Sequence, residues 1–154
     1  MEKQKLNIST FLIIFWVLLA GQFVFFLIAN VIVYTNQITI SDEADKYMGI
    51  IVPVVVAGSV LAGLLLNFLS ARKLRNLTDA NEKFKRFTSN NIIGWAFIEG
   101  SVLMNIIAFI ITSHHFYQVA AILMMLFFLI TIPTTSRIAF ALNLDENDIN
   151  ILKQ

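Results

Sequence analysis

Glu99 is a lone carboxylate within the run Ile92–Ile111, which is otherwise almost free of charge. A charged group at the centre of such a run costs about 2.5–3.5 kcal/mol on insertion scales, so it calls for a partner, a proton or a role. Glu99 stands eight residues past Asn91, about 12 Å from that edge of the run at helical rise. The same count taken back from Ala71 along the preceding apolar run reaches Gly63. Ser59, Gly63 and Asn67 then fall at i, i+4 and i+8, a small and polar stripe on one helix face. Neighbouring helices joined by a linker run antiparallel, so this stripe is expected to face Glu99. Ser59 and Asn67 would hydrogen-bond its carboxyl, and Gly63 would leave room for a water or an ion. No Lys or Arg lies at comparable depth in any apolar run. Glu99, Ser59, Gly63 and Asn67 are therefore the expected ion-binding set, with the acid protonated at rest or holding a cation when ionised. The alternative is a protonated carboxyl that only joins helices.

Other polar groups suggest less chemistry. Gln22, Asn30 and Asn105 are uncharged and are expected to satisfy themselves across helices. His114 and His115 are adjacent in a short turn and point in different directions, which suits a solvated turn better than a metal or haem site. Cys is absent, which excludes disulfides, thiol redox chemistry and thiolate metal sites. There is no phosphate-binding Gly-rich loop, nucleophile elbow or H-E-x-x-H motif, so the expectation is a non-enzyme without cofactor or metal.

The elements that must position these residues are apolar helices. The chain has 154 residues, 58% hydrophobic and 14% charged, with a mean hydropathy of +0.77. Soluble domains carry about 25% charge. Four stretches, Phe11–Tyr34, Met48–Ser70, Ile92–Ile111 and Phe116–Thr135, each reach the roughly 20 residues needed to cross ~30 Å of hydrocarbon. The first is longer than a signal-peptide core and lacks a small-residue cleavage site, so it reads as a retained span. Pro133 should kink or fray the end of the fourth. The expected architecture is all-α: an integral membrane four-helix bundle, antiparallel up-down, in a single domain.

Charge sets its direction. The Ala71–Asn91 linker carries Arg72, Lys73, Arg75, Lys83, Lys85 and Arg86 against Asp79 and Glu82, net +4. The Thr35–Tyr47 linker carries Asp42, Glu43 and Asp45 against Lys46, net −2. Lys3, Lys5, Arg137 and Lys153 add to the first side, so 10 of the 11 Lys and Arg share it. Positive charge stays inside, which puts both termini and the basic linker in the cytoplasm and Tyr34, Tyr47 and Tyr117 at the outer interface. A net charge of +1 points to no nucleic-acid partner. The expected partners are the bilayer, with anionic lipid at the six basic linker residues, and a second copy or another membrane subunit. Leu74, Leu77, Phe84 and Phe87 give the linker an apolar face. This suits an extension of the second span plus a short interfacial helix opened by Asp79 and Glu82. Thr88, Ser89 and Asn90 would then cap the third span. The 136–154 tail is expected to form a short amphipathic helix through Ile138 and Leu142. A last turn would follow Asp145–Asp148 and carry Ile149 and Leu152.

Ala96-Phe97-Ile98-Glu99-Gly100, continuing into Ile106-Ile107-Ala108-Phe109, resembles the second helix of the proteolipid (c) subunit of rotary ATP synthases. That resemblance implies that Glu99 matches the ion-binding glutamate. Trp95-Ala96-x-x-Glu99-Gly100, Pro133-Thr134 with Arg137, and Leu142-x-Leu144 before an acidic end are together similar to an uncharacterised group of small bacterial four-span membrane proteins. This likeness implies a bacterial inner-membrane location and brings no activity. Small multidrug transporters also have four spans and one Glu, but theirs lies in the first span, where this chain has none.

Overall fold

The computed structural model describes residues 8–35, 42–74, 77 and 79–142. Within them the chain is entirely helical: α1 Ile8–Tyr34, α2 Asp42–Leu74, α3 Ala80–Thr112, α4 His115–Ile130 and α5 Thr135–Leu142. Three of these helices are long and apolar enough to cross a membrane, and a fourth is added if α4 and α5, bent by 70°, count as one broken span. α1 is apolar on every side, as a helix surrounded by hydrocarbon should be. Lys3, Lys5, Arg75, the side chains of Arg72 and Lys73, and the tail from Asn143 with its acidic run lie outside the described residues.

α3 is the central helix and touches all the others. Two apolar clusters form along it. The first joins Phe11 and Phe15 of α1, Phe84, Trp95 and Ile98 of α3, Phe128 of α4, and Ile138 and Leu142 of α5. The second, toward the α3–α4 turn, joins Ala29, Val52, Val102, Ile106, Phe109, Tyr117 and Ala121. Lipid tails are as apolar as these side chains, so close van der Waals packing has to hold the helices together. The most extensive pairing, α2 against α3, shows how. Gly63 packs against Gly94, where a Cβ would stand 3.2 Å from the Gly94 carbonyl oxygen.

The linker is less of a separate unit than its composition suggests. Helix α3 starts at Ala80 and runs unbroken through Thr88, Ser89 and Asn90, which are interior residues and not caps. The expected interfacial helix is thus the first turns of α3. Asp79 sits just before it, its carbonyl accepting the Lys83 N–H at 3.0 Å, and Glu82 pairs with Arg86 at 2.6 Å. Tyr34 and Tyr47 are exposed, but Tyr117 is buried in the second cluster.

The Pro133 expectation becomes a full break. Proline has no N–H and disfavours helix at the residue before it, so α4 stops at Ile130. Thr131 and Ile132 turn back to the Phe128 and Leu129 carbonyls at 2.9 and 3.2 Å. The Arg137 guanidinium donates to the Ile130 carbonyl, where a cation also meets the negative end of the helix dipole. Thr134 caps α5, its hydroxyl oxygen accepting the Arg137 N–H at 3.4 Å. Break, cap and clamp account for Pro133, Thr134 and Arg137 together. Arg137→Gln should therefore speed amide hydrogen exchange across Thr135–Leu142 while leaving the centre of α4 protected; unchanged exchange in α5 would remove the clamp.

Candidate functional site

Glu99 lies in the middle of α3 and is half-buried. Among the described residues no hydrogen bond or ion pair reaches its carboxylate. The Arg86–Glu82 ion pair and the contact of His114 Nε2 with Asp45 Oδ1 at 3.1 Å lie near opposite ends of α3.

The stripe expected to hold Glu99 does pack on α3, but elsewhere. A Cβ on Gly94 would stand 2.8 Å from Asn67 Nδ2 and 3.1 Å from its Oδ1, so Asn67 occupies the space that Gly94 leaves. Gly63 meets Gly94 and Phe97. Gly94 and Glu99 are five residues apart, about 140° around a helix of 3.6 residues per turn, so the carboxylate points well away from this contact. Among the described residues neither Ser59 nor Asn67 hydrogen-bonds Glu99, and Asn67 Oδ1 is buried without a partner. The structure brings Gly63 and Asn67 together with Gly94, and does not bring them to the acid.

Trp95, one turn before Glu99 on α3, packs against α1. Trp95 stacks on Phe11 at 4.7 Å between ring centroids and meets Phe15 edge-on at 5.2 Å. Seven residues beyond Phe15 on the same α1 stripe is Gln22, fully buried between the two apolar clusters. Both polar atoms of its amide lack a hydrogen-bond partner, and so does the buried indole nitrogen Nε1 of Trp95. An unmade hydrogen bond on a buried group costs about 1–3 kcal/mol. Neither residue belonged to the expected site, although the spacing of Trp95 and Glu99 at i and i+4 was a visible signal.

Thr88 Oγ1 is also buried without a partner, whereas Asn30, Asn105 and Gln118 are hydrogen-bonded. Asn30 Oδ1 accepts from Gln118 Nε2 at 2.6 Å, a link from α1 to α4, and His115 Nδ1 lies 3.0 Å from Gln118 Oε1. Asn105 donates within its own helix to the Ser101 carbonyl at 2.8 Å. Both histidines are exposed, and no cluster of three His, Cys, Asp or Glu side chains able to hold a metal forms among the described residues. Against known proteins, the chain matches no family model, no curated protein and no solved structure.

Proposed function

We propose that the protein is a four-span membrane protein that binds or relays a proton or a monovalent cation at Glu99. The observation behind this reading is a carboxylate midway along a membrane-length helix that forms no ion pair among the described residues. Such a group either keeps a proton or takes a cation, and a change in water access can exchange one for the other. The charge asymmetry of the linkers favours both termini in the cytoplasm, and the likeness to small bacterial membrane proteins favours the inner membrane. Proton or Na⁺ flux into liposomes, wild type against Glu99→Gln, tests the reading. Wild-type protein should carry a flux that the variant largely loses; equal flux, or none from either, ends the proposal.

A second reading rests on the start of α3, where Lys85 and Arg86 are exposed while Phe84 is anchored in the core. There the protein is a non-catalytic accessory or assembly subunit, docking on another membrane protein or anionic lipid through this basic face. It expects Glu99→Gln to be tolerated. Neutralising Lys83, Lys85 and Arg86 should instead remove a partner from protein purified out of native membranes.

A further inference from the structure

We infer that the Glu99 carboxyl closes onto Gln22 and Trp95 of its own chain, which take the place of the α2 stripe as its hydrogen-bonding partners. The inference builds on the reading of Glu99 as an exchangeable acid and names the groups that make exchange workable without a basic side chain.

The placement follows from ring contacts between α1 and α3 and from helix register. Phe11 and Phe15 of α1 pack on Trp95 of α3, and Gln22 continues the stripe those two rings define. Trp95 and Glu99 are spaced i, i+4 on α3, which makes them surface neighbours on that helix. Helix α1 runs parallel to α3: at the far end Tyr34 and Phe109 both approach the His115 ring, each at 6.3 Å. At helical rise Glu99 stands about 6 Å beyond Trp95, and Gln22 about 10 Å beyond Phe15. Long helical side chains lean back toward the N-terminus, so the Gln22 amide descends toward Glu99 and the Glu99 carboxyl toward the Trp95 indole.

The chemistry is complementary. Trp95 Nε1 can only donate, whereas the Gln22 amide both donates and accepts. Both are buried and unpartnered, and among the described residues Glu99 is the acid one turn from Trp95. With Glu99 protonated, its O–H donates to Gln22 Oε1 while its carbonyl oxygen accepts from Trp95 Nε1–H. With Glu99 ionised, the amide turns over and Gln22 Nε2 donates to the carboxylate alongside Trp95. In either state one side-chain closure satisfies Trp95 Nε1 and one end of the Gln22 amide, and one amide rotation serves both states. Between the two ends, the described residues of α1, α2 and α4 present no other charged group to this flank; Asp45, Lys46 and His114 lie toward the α3–α4 turn, and Glu82 and Arg86 at the start of α3.

The chain has two tryptophans, which supplies an internal control: Trp95 is buried, whereas Trp16 is 51% exposed on the apolar surface. In ¹⁵N-indole-labelled protein in liposomes, the Trp95 Nε1–H resonance should move with pH, while that of Trp16 stays. Glu99→Gln should abolish the movement. In infrared difference spectra, Gln22→Leu should shift the Glu99 carboxylic C=O band to higher frequency, as expected when its hydrogen-bond acceptor is lost. A Trp95 signal indifferent to pH and to Glu99→Gln, or a Glu99 band unmoved by Gln22→Leu, overturns the assignment. The wild-type titration needs no variant to fold. Positive spectra with no flux would leave the pair standing and the transport reading refuted; flux without the spectral coupling would do the reverse.

Discussion

Gly63→Leu should prise α2 from α3 and leave much of the protein unfolded in detergent. The α2–α3 pairing is the most extensive in the molecule, and its closest approach is backbone on backbone. Even a Cβ at Gly63 would press to 3.2 Å of the Gly94 carbonyl oxygen and 3.5 Å of Phe97 Cβ, atoms that cannot swing aside as a flexible side-chain tip can. Overpacking costs typically 1–3 kcal/mol (roughly), and four extra carbons against a fixed backbone belong at or above the top of that range. In a membrane no gain from excluding water offsets the lost contact, because the separated faces simply meet lipid. Gly58→Leu and Gly100→Leu are the controls, since nothing stands within 4 Å of a Cβ at either position. Denaturant titrations followed by circular dichroism should show a large loss for Gly63→Leu and little for the controls; equal midpoints would mean that the close approach does not hold the pair together.

Trp95→Ala should be nearly as damaging, for a different reason. Trp95 is 1% exposed and is the largest fully buried side chain, in ring contact with Phe11, Phe15 and Phe128. Phe15 in turn stacks on Phe128 at 4.8 Å, so one indole ties α1, α3 and α4 together. Removing it leaves a cavity that three rings from two other helices cannot close, with a cost of about 3–5 kcal/mol for a buried Trp→Ala change. Offset-stacked and edge-on ring pairs add their own geometric preference to that loss. Trp16→Ala, on the exposed apolar face, should leave the midpoint within about 0.5 kcal/mol of wild type, as surface substitutions generally do. A Trp95→Ala midpoint no lower than that of Trp16→Ala would show that the aromatic cluster is incidental to stability.

The two variants loosen different contacts of the central helix. Gly63 and Asn67 set the distance of α2 from α3 on one side of the central helix, and Trp95 sets that of α1 on the other. Glu99 lies one turn beyond Trp95 and about 140° around the helix from Gly94.

Much of this was legible in residue order alone. The apolar runs that become α1, α2 and α3 are readable because hydrocarbon thickness demands long stretches without charge, a one-dimensional requirement. Glu99 is conspicuous for the same reason, as the violation of that requirement. Pro133 announces the break after α4 because its lack of an N–H is a property of one residue, and Ile138 with Leu142 announces the buried face of α5 through simple helical spacing. Tertiary structure alone decided which residues meet. Counting residues from a span's edge measures depth along a helix but not rotation about it, so Ser59, Gly63 and Asn67 were matched to Glu99 by level, whereas Gly63 and Asn67 pack on Gly94. Thr88, Ser89 and Asn90 carry the local preferences of a helix start, yet Phe84 anchored in the core carries α3 straight through them. The burial of Gln22 and Trp95 with unmet hydrogen bonds is equally invisible in sequence, since it depends on which faces of α1 and α3 come together.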